Sequence, residues 1–240
     1  MIRFFTSRAD ISGDSARLSA EDAAHIRSLR IRPTELFIVC DGEGNDHICR
    51  LGDAKGQGVI AEIVETKPSA GEPSVTCSVY IAYAHGDRLD YAVGKSVELG
   101  AHGIVLYPSH RCEAIPRDVA KKTERLQRIA LESAKQCGRG IVPKVTAAGT
   151  FQEAIAGAAS AGLPLFLYEG EEELHLKQAL SPVLRCISIV TGPVGGFEPF
   201  EAEFARTAGM VIVTLGPRIL RCETAPAAAL AAIMYHTDNF

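Results

Sequence analysis

Two short loops carry residues whose types and spacing suit ligand chemistry. Thr191-Gly192-Pro193-Val194-Gly195-Gly196-Phe197 places three glycines within five residues, and Leu215-Gly216-Pro217-Arg218-Ile219-Leu220-Arg221 adds another glycine and two arginines. Without a Cβ, glycine lets backbone amides and carbonyls approach a ligand closely. Arg221 stays charged near neutral pH and donates hydrogen bonds without acting as a base, so it is a candidate for stabilising negative charge on a reactant. Glu223, two residues on, is placed either to accept a proton or to cap a helix starting near Ala225, where Thr224 and Pro226 suit the first turn. Either glycine loop alone reads equally well as a tight strand-to-helix turn. The pair together favours a site.

The common nucleotide signatures are missing from the sequence. No GxGxxG opens a helix after a first strand and no GxxxxGK[ST] occurs, so neither a dinucleotide fold nor a P-loop is supported. A phosphate-binding regulator would set basic residues beside its glycines, and Thr191 to Phe197 has none. Seven cysteines are scattered without a CxxC pair or a histidine at zinc-ligand spacing, which predicts no metal and a reducing compartment. His25 is expected to be a structural hydrogen-bonding residue.

The elements that must position these loops follow from the hydrophobic pattern. Up to about Lys67 the chain shows short alternating apolar stretches, and Asp41-Gly42 between Leu36–Cys40 and His47–Leu51 is a hairpin signal. A small β-barrel or β-sandwich is predicted there. Glu65 to Pro73, with two prolines and no periodicity, reads as a linker, dividing the chain into residues 1–70 and 74–240. Beyond it, apolar runs at 75–84, 103–107, 163–168, 186–190 and 210–215 alternate with helical segments at 89–99, 117–137, 151–161, 171–179, 201–208 and 225–236. That alternation predicts an α/β fold with a parallel sheet covered on both faces. Ligands of such sheets bind in loops beyond the carboxyl ends of strands, and both glycine loops follow strands.

Length and composition, 240 residues with 47% hydrophobic and 22% charged, are those of a globular protein. The start of the chain lacks the apolar core of a signal peptide and no apolar run is long enough to span a bilayer, which predicts a cytoplasmic protein without membrane contact. A formal net charge of −4 excludes coating nucleic acid through bulk positive charge but leaves room for a local basic face. Basic residues concentrate between Arg117 and Lys144, and Arg3, Arg8, Arg27, Arg30 and Arg32 cluster near the start.

The two loops, continued by Cys222-Glu223-Thr224-Ala225, resemble the GPEGGF and LG-x-RILR-x-ETA motifs of the ribosomal RNA small-subunit methyltransferase E family, of the knotted SPOUT class. Further matches occur in the expected order: Arg3-Phe4-Phe5, His25-Ile26 with Leu29-Arg30, Asp41-Gly42-Glu43-Gly44, Lys95 with Glu98-Leu99-Gly100, Ser109 with Arg111-Cys112, and Glu132, Ala134, Gln136, Arg139 and Pro143. The chain departs from the pattern at Val194, where family members carry glutamate.

The resemblance implies an N-terminal PUA-like β-barrel for RNA and a C-terminal SPOUT-type parallel sheet with a trefoil knot, assembled as a homodimer. It implies S-adenosylmethionine-dependent methylation of N3 of a uridine in 16S ribosomal RNA of the small subunit. It places the cofactor at Leu167, Glu169, Thr191, Gly192, Gly195, Gly196, Leu215, Gly216, Ile219, Leu220, Thr224 and Ala225. Arg221 and Glu223 are the catalytic candidates, and Arg3, Arg8, Arg27, Arg30 and Arg139 the RNA-binding ones. The alternatives are another RNA nucleoside methyltransferase of the class, or a non-catalytic RNA-binding ribosome assembly factor.

Overall fold

The computed structural model describes residues 1–55, 58–113, 115–181 and 183–240. The chain forms two compact units: Met1–Glu72 with Ala134–Val142, and Pro73–Ser133 with Pro143–Phe240.

The first unit holds β1 (Arg3–Phe5), β2 (Ile11–Ser12), β3 (Ser15–Leu18), α1 (Ala20–Ser28), β4 (Phe37–Cys40), β5 (Asn45–Lys55) and β6 (Gly58–Pro68). The strands join in one mixed sheet of order β1-β4-β5-β6-β3-β2, parallel only at β1–β4, rather than in two stacked sheets. The Asp41-Gly42 turn does join a hairpin, with Phe37 opposite Cys49 and Cys40 opposite Asp46. Asp41 shapes it by accepting the Glu43 and Asn45 amides at 2.8 and 3.0 Å. Phe4, Leu18, Ile26, Phe37, Val39 and Cys49 form the core.

One expectation is corrected here, and one element was not expected. Glu65 to Pro68 are not linker but the end of β6, because they pair with Asn45 to Ile48 across the sheet, where Pro68 occupies the last ladder position. Helix α1 has no counterpart in the hydrophobic pattern, since only Asp22, Ala23 and Ile26 of it are buried. Its signal is the cap instead: Ser19 accepts the Asp22 amide and donates to the Asp22 carboxylate.

The first unit also takes in the segment after α3. There Glu72 accepts hydrogen bonds from the Arg139 guanidinium at 2.7 Å and from the Gly140 and Ile141 amides at 2.9 and 3.0 Å.

The second unit contains β7 (Thr76–Ala82), α2 (Arg88–Glu98), β8 (Gly103–Tyr107), α3 (Val119–Cys137, whose last turn belongs to the first unit), β9 (Lys144–Ala147), α4 (Phe151–Ala159), β10 (Leu163–Leu167), α5 (Leu176–Ala179), β11 (Cys186–Thr191), α6 (Pro199–Thr207), β12 (Val211–Val213) and α7 (Thr224–His236). All six strands are parallel, in the order β12-β10-β11-β7-β8-β9. The α/β expectation holds for this unit. Tyr107, Phe151, Phe166, Phe197 and Ile155 lie at the centre of one of its hydrophobic clusters.

The helix expected over 171–179 shortens to the four residues of α5. Glu171 accepts the amides of Glu173 and Leu174, which diverts them into a turn, and His175 bridges to Thr214. The edge strand β9 escapes the pattern because four residues are too few to show alternation. Among the described residues no helix is long and apolar enough to cross a membrane, and no cluster of three metal-ligating side chains occurs.

Candidate functional site

Because every strand of the parallel sheet points the same way, the loops after β7, β8, β10, β11 and β12 gather at one edge, beyond the carboxyl ends. Three of them, after β10, β11 and β12, enclose a cavity of ≈ 830 Å³, within the roughly 300–1,000 Å³ typical of small-molecule sites.

Ten of the twelve expected cofactor residues line it: Leu167, Glu169, Gly192, Gly195, Gly196, Leu215, Gly216, Ile219, Leu220 and Ala225. The other two do not. Thr191 is fully buried beneath the loop, its hydroxyl donating to the Tyr80 carbonyl at 3.1 Å while its own carbonyl accepts from the Tyr107 hydroxyl at 2.7 Å. It anchors the strand end, and its side chain is spent inside the core. Thr224 instead lines a separate cleft with Glu223, His85, Asp87, Arg88 and Tyr91. The first turn of α7 divides the two spaces, since Cys222 and Ala225, three apart, face the cavity and the residues between them face the cleft.

The loop glycines turn out to have different reasons. A Cβ at Gly192 would meet the Phe197 ring at 3.0 Å, and one at Gly195 would meet the Arg111 side chain at 3.3 Å. At Gly196, with φ of +71°, it would collide with the Glu169 carboxylate, which accepts the Phe197 amide at 3.0 Å. Gly192 lets the loop pack on itself, and Gly195 and Gly196 let it pack on the loops after β8 and β10. Gly216 is the one whose absent Cβ faces open space, at a φ of +109° that side chains rarely adopt. It is therefore the position where the backbone lies bare to the cavity.

Sequence reasoning missed the support of this loop. Arg111 donates to the Gly195 carbonyl and to Glu198, each at 2.8 Å, and Glu198 keeps its guanidinium pKa above the usual value. Behind it, the buried Glu201 accepts the Ser109 hydroxyl at 2.8 Å and the His110 and Glu198 amides at 3.0 Å. Glu198-Pro199-Phe200-Glu201 reads as a helix-start capping box, which was the available signal.

The rim is acidic. Glu169, Glu171 and Glu172 stand against Arg218 and His175, and the amides of Glu173 and Leu174 hold the Glu171 carboxyl below its usual pKa. Such a rim favours a cationic ligand. Val194 is 48% exposed on the same cavity and adds no polar group.

Arg221 is exposed and does not line the cavity. Its charge is nevertheless felt by Glu223: burial pushes that carboxyl up, but its own amide, the Cys222 thiol at 3.2 Å and the charges of Arg88 and Arg221 together hold it below the usual range. Burial and the Glu223 carboxylate push the Cys222 thiol up to about 11, so it remains protonated.

Of the five expected RNA-contacting arginines, Arg8, Arg27 and Arg30 are exposed in the first unit. Arg3 and Arg139 are not. Arg3 is nearly buried against Asp46 at 2.6 Å, and the Arg139 side chain is 4% exposed against Glu72. Each guanidinium is engaged by the carboxylate that its burial requires, which leaves it less surface for a phosphate than the three exposed arginines have. His25 packs its ring edge-on against Phe4, with centroids 5.8 Å apart, and among the described residues its side chain has no hydrogen-bond partner of the expected kind.

Comparison with known proteins agrees with this geometry. An RNA methyltransferase domain family matches residues 71–234. Ribosomal RNA small subunit methyltransferase E of Bacillus subtilis (strain 168) is 29% identical over 230 residues, covering 92% of this chain and 90% of that protein. The Synechocystis protein of the same name is 34% identical, covering 86% and 68%. The crystal structure of ribosomal RNA small subunit methyltransferase E from Neisseria gonorrhoeae, bound to S-adenosyl methionine, superposes with a TM-score of 0.84 at 32% identity, covering 98% of this chain and 97% of that one.

Proposed function

Since the chain belongs to the RNA methyltransferase family, in the group of small-subunit methyltransferase E proteins, we propose that it transfers a methyl group from S-adenosylmethionine to N3 of a uridine in 16S ribosomal RNA. The observation that carries this reading is the cavity at the carboxyl edge, where ten expected cofactor residues converge under an acidic rim. The Neisseria relative, bound to the same cofactor, supports it.

The residues present fit such a group. The cavity has the volume for it, Gly216 leaves backbone bare within it, and three carboxylates on its rim suit a positively charged ligand. When bound, S-adenosylmethionine supplies an electrophilic methyl on a cationic sulfur. The chain's own part is to make the acceptor reactive and hold it in line, and positioning of this kind is worth up to about 7–11 kcal/mol in intramolecular models.

Uridine N3 carries a proton. Glu223, held ionised by its own amide, the Cys222 thiol and the charges of Arg88 and Arg221, accepts it, and the Arg221 guanidinium offsets negative charge spreading to the uracil oxygens. Under the same proposal the first unit is a PUA-like barrel that holds RNA through Arg8, Arg27 and Arg30, the second unit carries a trefoil knot, and the protein works as a cytoplasmic homodimer.

Mapping methylated nucleosides in 16S ribosomal RNA from cells with and without the protein tests the reading. One N3-methyluridine present only with the protein is the expected result. An unchanged map, together with no calorimetric heat on adding S-adenosylmethionine to the purified chain, overturns it.

A further inference from the structure

A concave surface of different character lies on the amino-terminal half of α3. Lys121, Lys122, Arg125 and Arg128 line an open groove of ≈ 420 Å³ with Asp118 and Glu124. Both carboxylates are already engaged: Asp118 accepts the Lys121 amide at 2.9 Å, and Glu124 pairs with Arg128. Arg125 pairs with Asp90 of α2. Neither Lys121 nor Lys122 has a carboxylate within ion-pair distance among the described residues.

We propose that this stripe is a docking track for the phosphodiester backbone of the RNA that reaches the catalytic edge. The inference rests on the reading of the protein as an RNA-modifying enzyme. Five observations support it.

Residues 121, 125 and 128 follow the i, i+4, i+7 spacing, so the cations form one row along a helix face, with neighbours about 5–6 Å apart. The row stands out on a chain of net charge −4, where a long polyanion collects at local positive fields. The Arg128–Glu124 pair is exposed and therefore worth little, so that guanidinium can exchange its carboxylate for a phosphate, while Arg125 stays bidentate on Asp90 and adds its charge to the row. The chain also enters α3 from the carboxyl end of β8, through the loop in which Ser109, His110 and Arg111 bond to Gly195, Glu198 and Glu201. The row thus follows in chain directly after the loop that holds the cavity wall at Gly195 and pairs with Glu198. Among the described residues no aromatic side chain lines the groove, which suits backbone positioning rather than base reading.

The test is the salt dependence of RNA binding, measured by fluorescence anisotropy on a labelled fragment of small-subunit ribosomal RNA, without cofactor, for wild type and Lys121→Gln/Lys122→Gln. Each lost phosphate contact lowers the slope of log K against log salt by about 0.7 for single strands and 0.9 for duplex. The double variant should therefore lose about 1.4–1.8 in slope and bind at least tenfold more weakly at low salt. Its melting temperature, cofactor affinity and rate at saturating RNA should not change, and Lys121→Arg/Lys122→Arg should restore the slope. An unaltered slope and affinity in the glutamine variant overturn the track, including the case in which the row serves an acidic protein instead. A reduced slope in a protein that transfers no methyl group upholds the track and counts against the methylation reading alone.

Discussion

Arg221 and Glu223 sit beside each other in chain and charge, yet they face differently from the cofactor loops. That separation has kinetic consequences. Because Arg221 lies outside the cavity lining, Arg221→Ala should lower the single-turnover rate at saturating RNA and cofactor by about 10²–10³, the usual cost of one preorganised donor, with S-adenosylmethionine affinity unchanged. The pH profile adds a second readout. Removing a positive charge raises the Glu223 pKa, and the carboxylate is lost as pH falls through that value, so the acid limb of the rate should move to higher pH. Loss of cofactor affinity together with a lower melting temperature would instead make Arg221 a scaffold residue.

At the scale of elements, one carboxylate joins the loop after β8 to the start of α6. Glu201 is 1% exposed and takes three hydrogen bonds from Ser109, His110 and Glu198. Glu201→Ala leaves the buried Ser109 hydroxyl without a partner, at about 1–3 kcal/mol for such a group, and frees the part-buried amides of His110 and Glu198. The variant should melt earlier. It should also bind cofactor more weakly, because the same loop carries Arg111, which holds the Gly195 carbonyl. Calorimetric melting and titration on one preparation check both, and a variant that melts earlier with full cofactor affinity would uncouple the loop from the cavity.

For the whole molecule, acid acts unequally on the two units. Burial pushes the Asp46 carboxyl up, but Arg3, Ser69 and Cys40 outweigh it, and Asn45 and the Glu43 amide do the same for Asp41, so both sit below the usual carboxylate pKa. A carboxyl lowered in the folded state contributes stability that is present above its unfolded pKa and is lost as pH falls through the folded value. Both groups are buried in the first unit. The lowered carboxyls of the second unit, Glu171 and Glu223, are more exposed and contribute less. Below about pH 4 hydrogen exchange should therefore open β4 and β5 before β7 and β11. Simultaneous opening of both sheets would show that the two carboxylates do not set the acid limit.

What the amino-acid order determined by itself was whatever is local or periodic. The hairpin at Asp41-Gly42, the α/β alternation after Pro73 and the two glycine loops all depend on neighbours within a few residues. Strand β8 was therefore legible to the residue, and ten cofactor candidates reached one cavity. Tertiary structure alone decided where the side chains of those segments point. Gly192, Gly195 and Gly196 look alike in sequence but serve Phe197, Arg111 and Glu169, which lie 5 to 84 residues away in the chain. Arg3 and Arg139 look like free cations until Asp46 and Glu72, 43 and 67 positions distant, are folded against them. Thr191 and Thr224 sit in the motifs yet turn from the cavity, one into the core and one into the cleft beyond α7. A charge or a hydroxyl advertises its chemistry in one dimension, but its partner is chosen by burial, which depends on contacts between residues far apart in the chain.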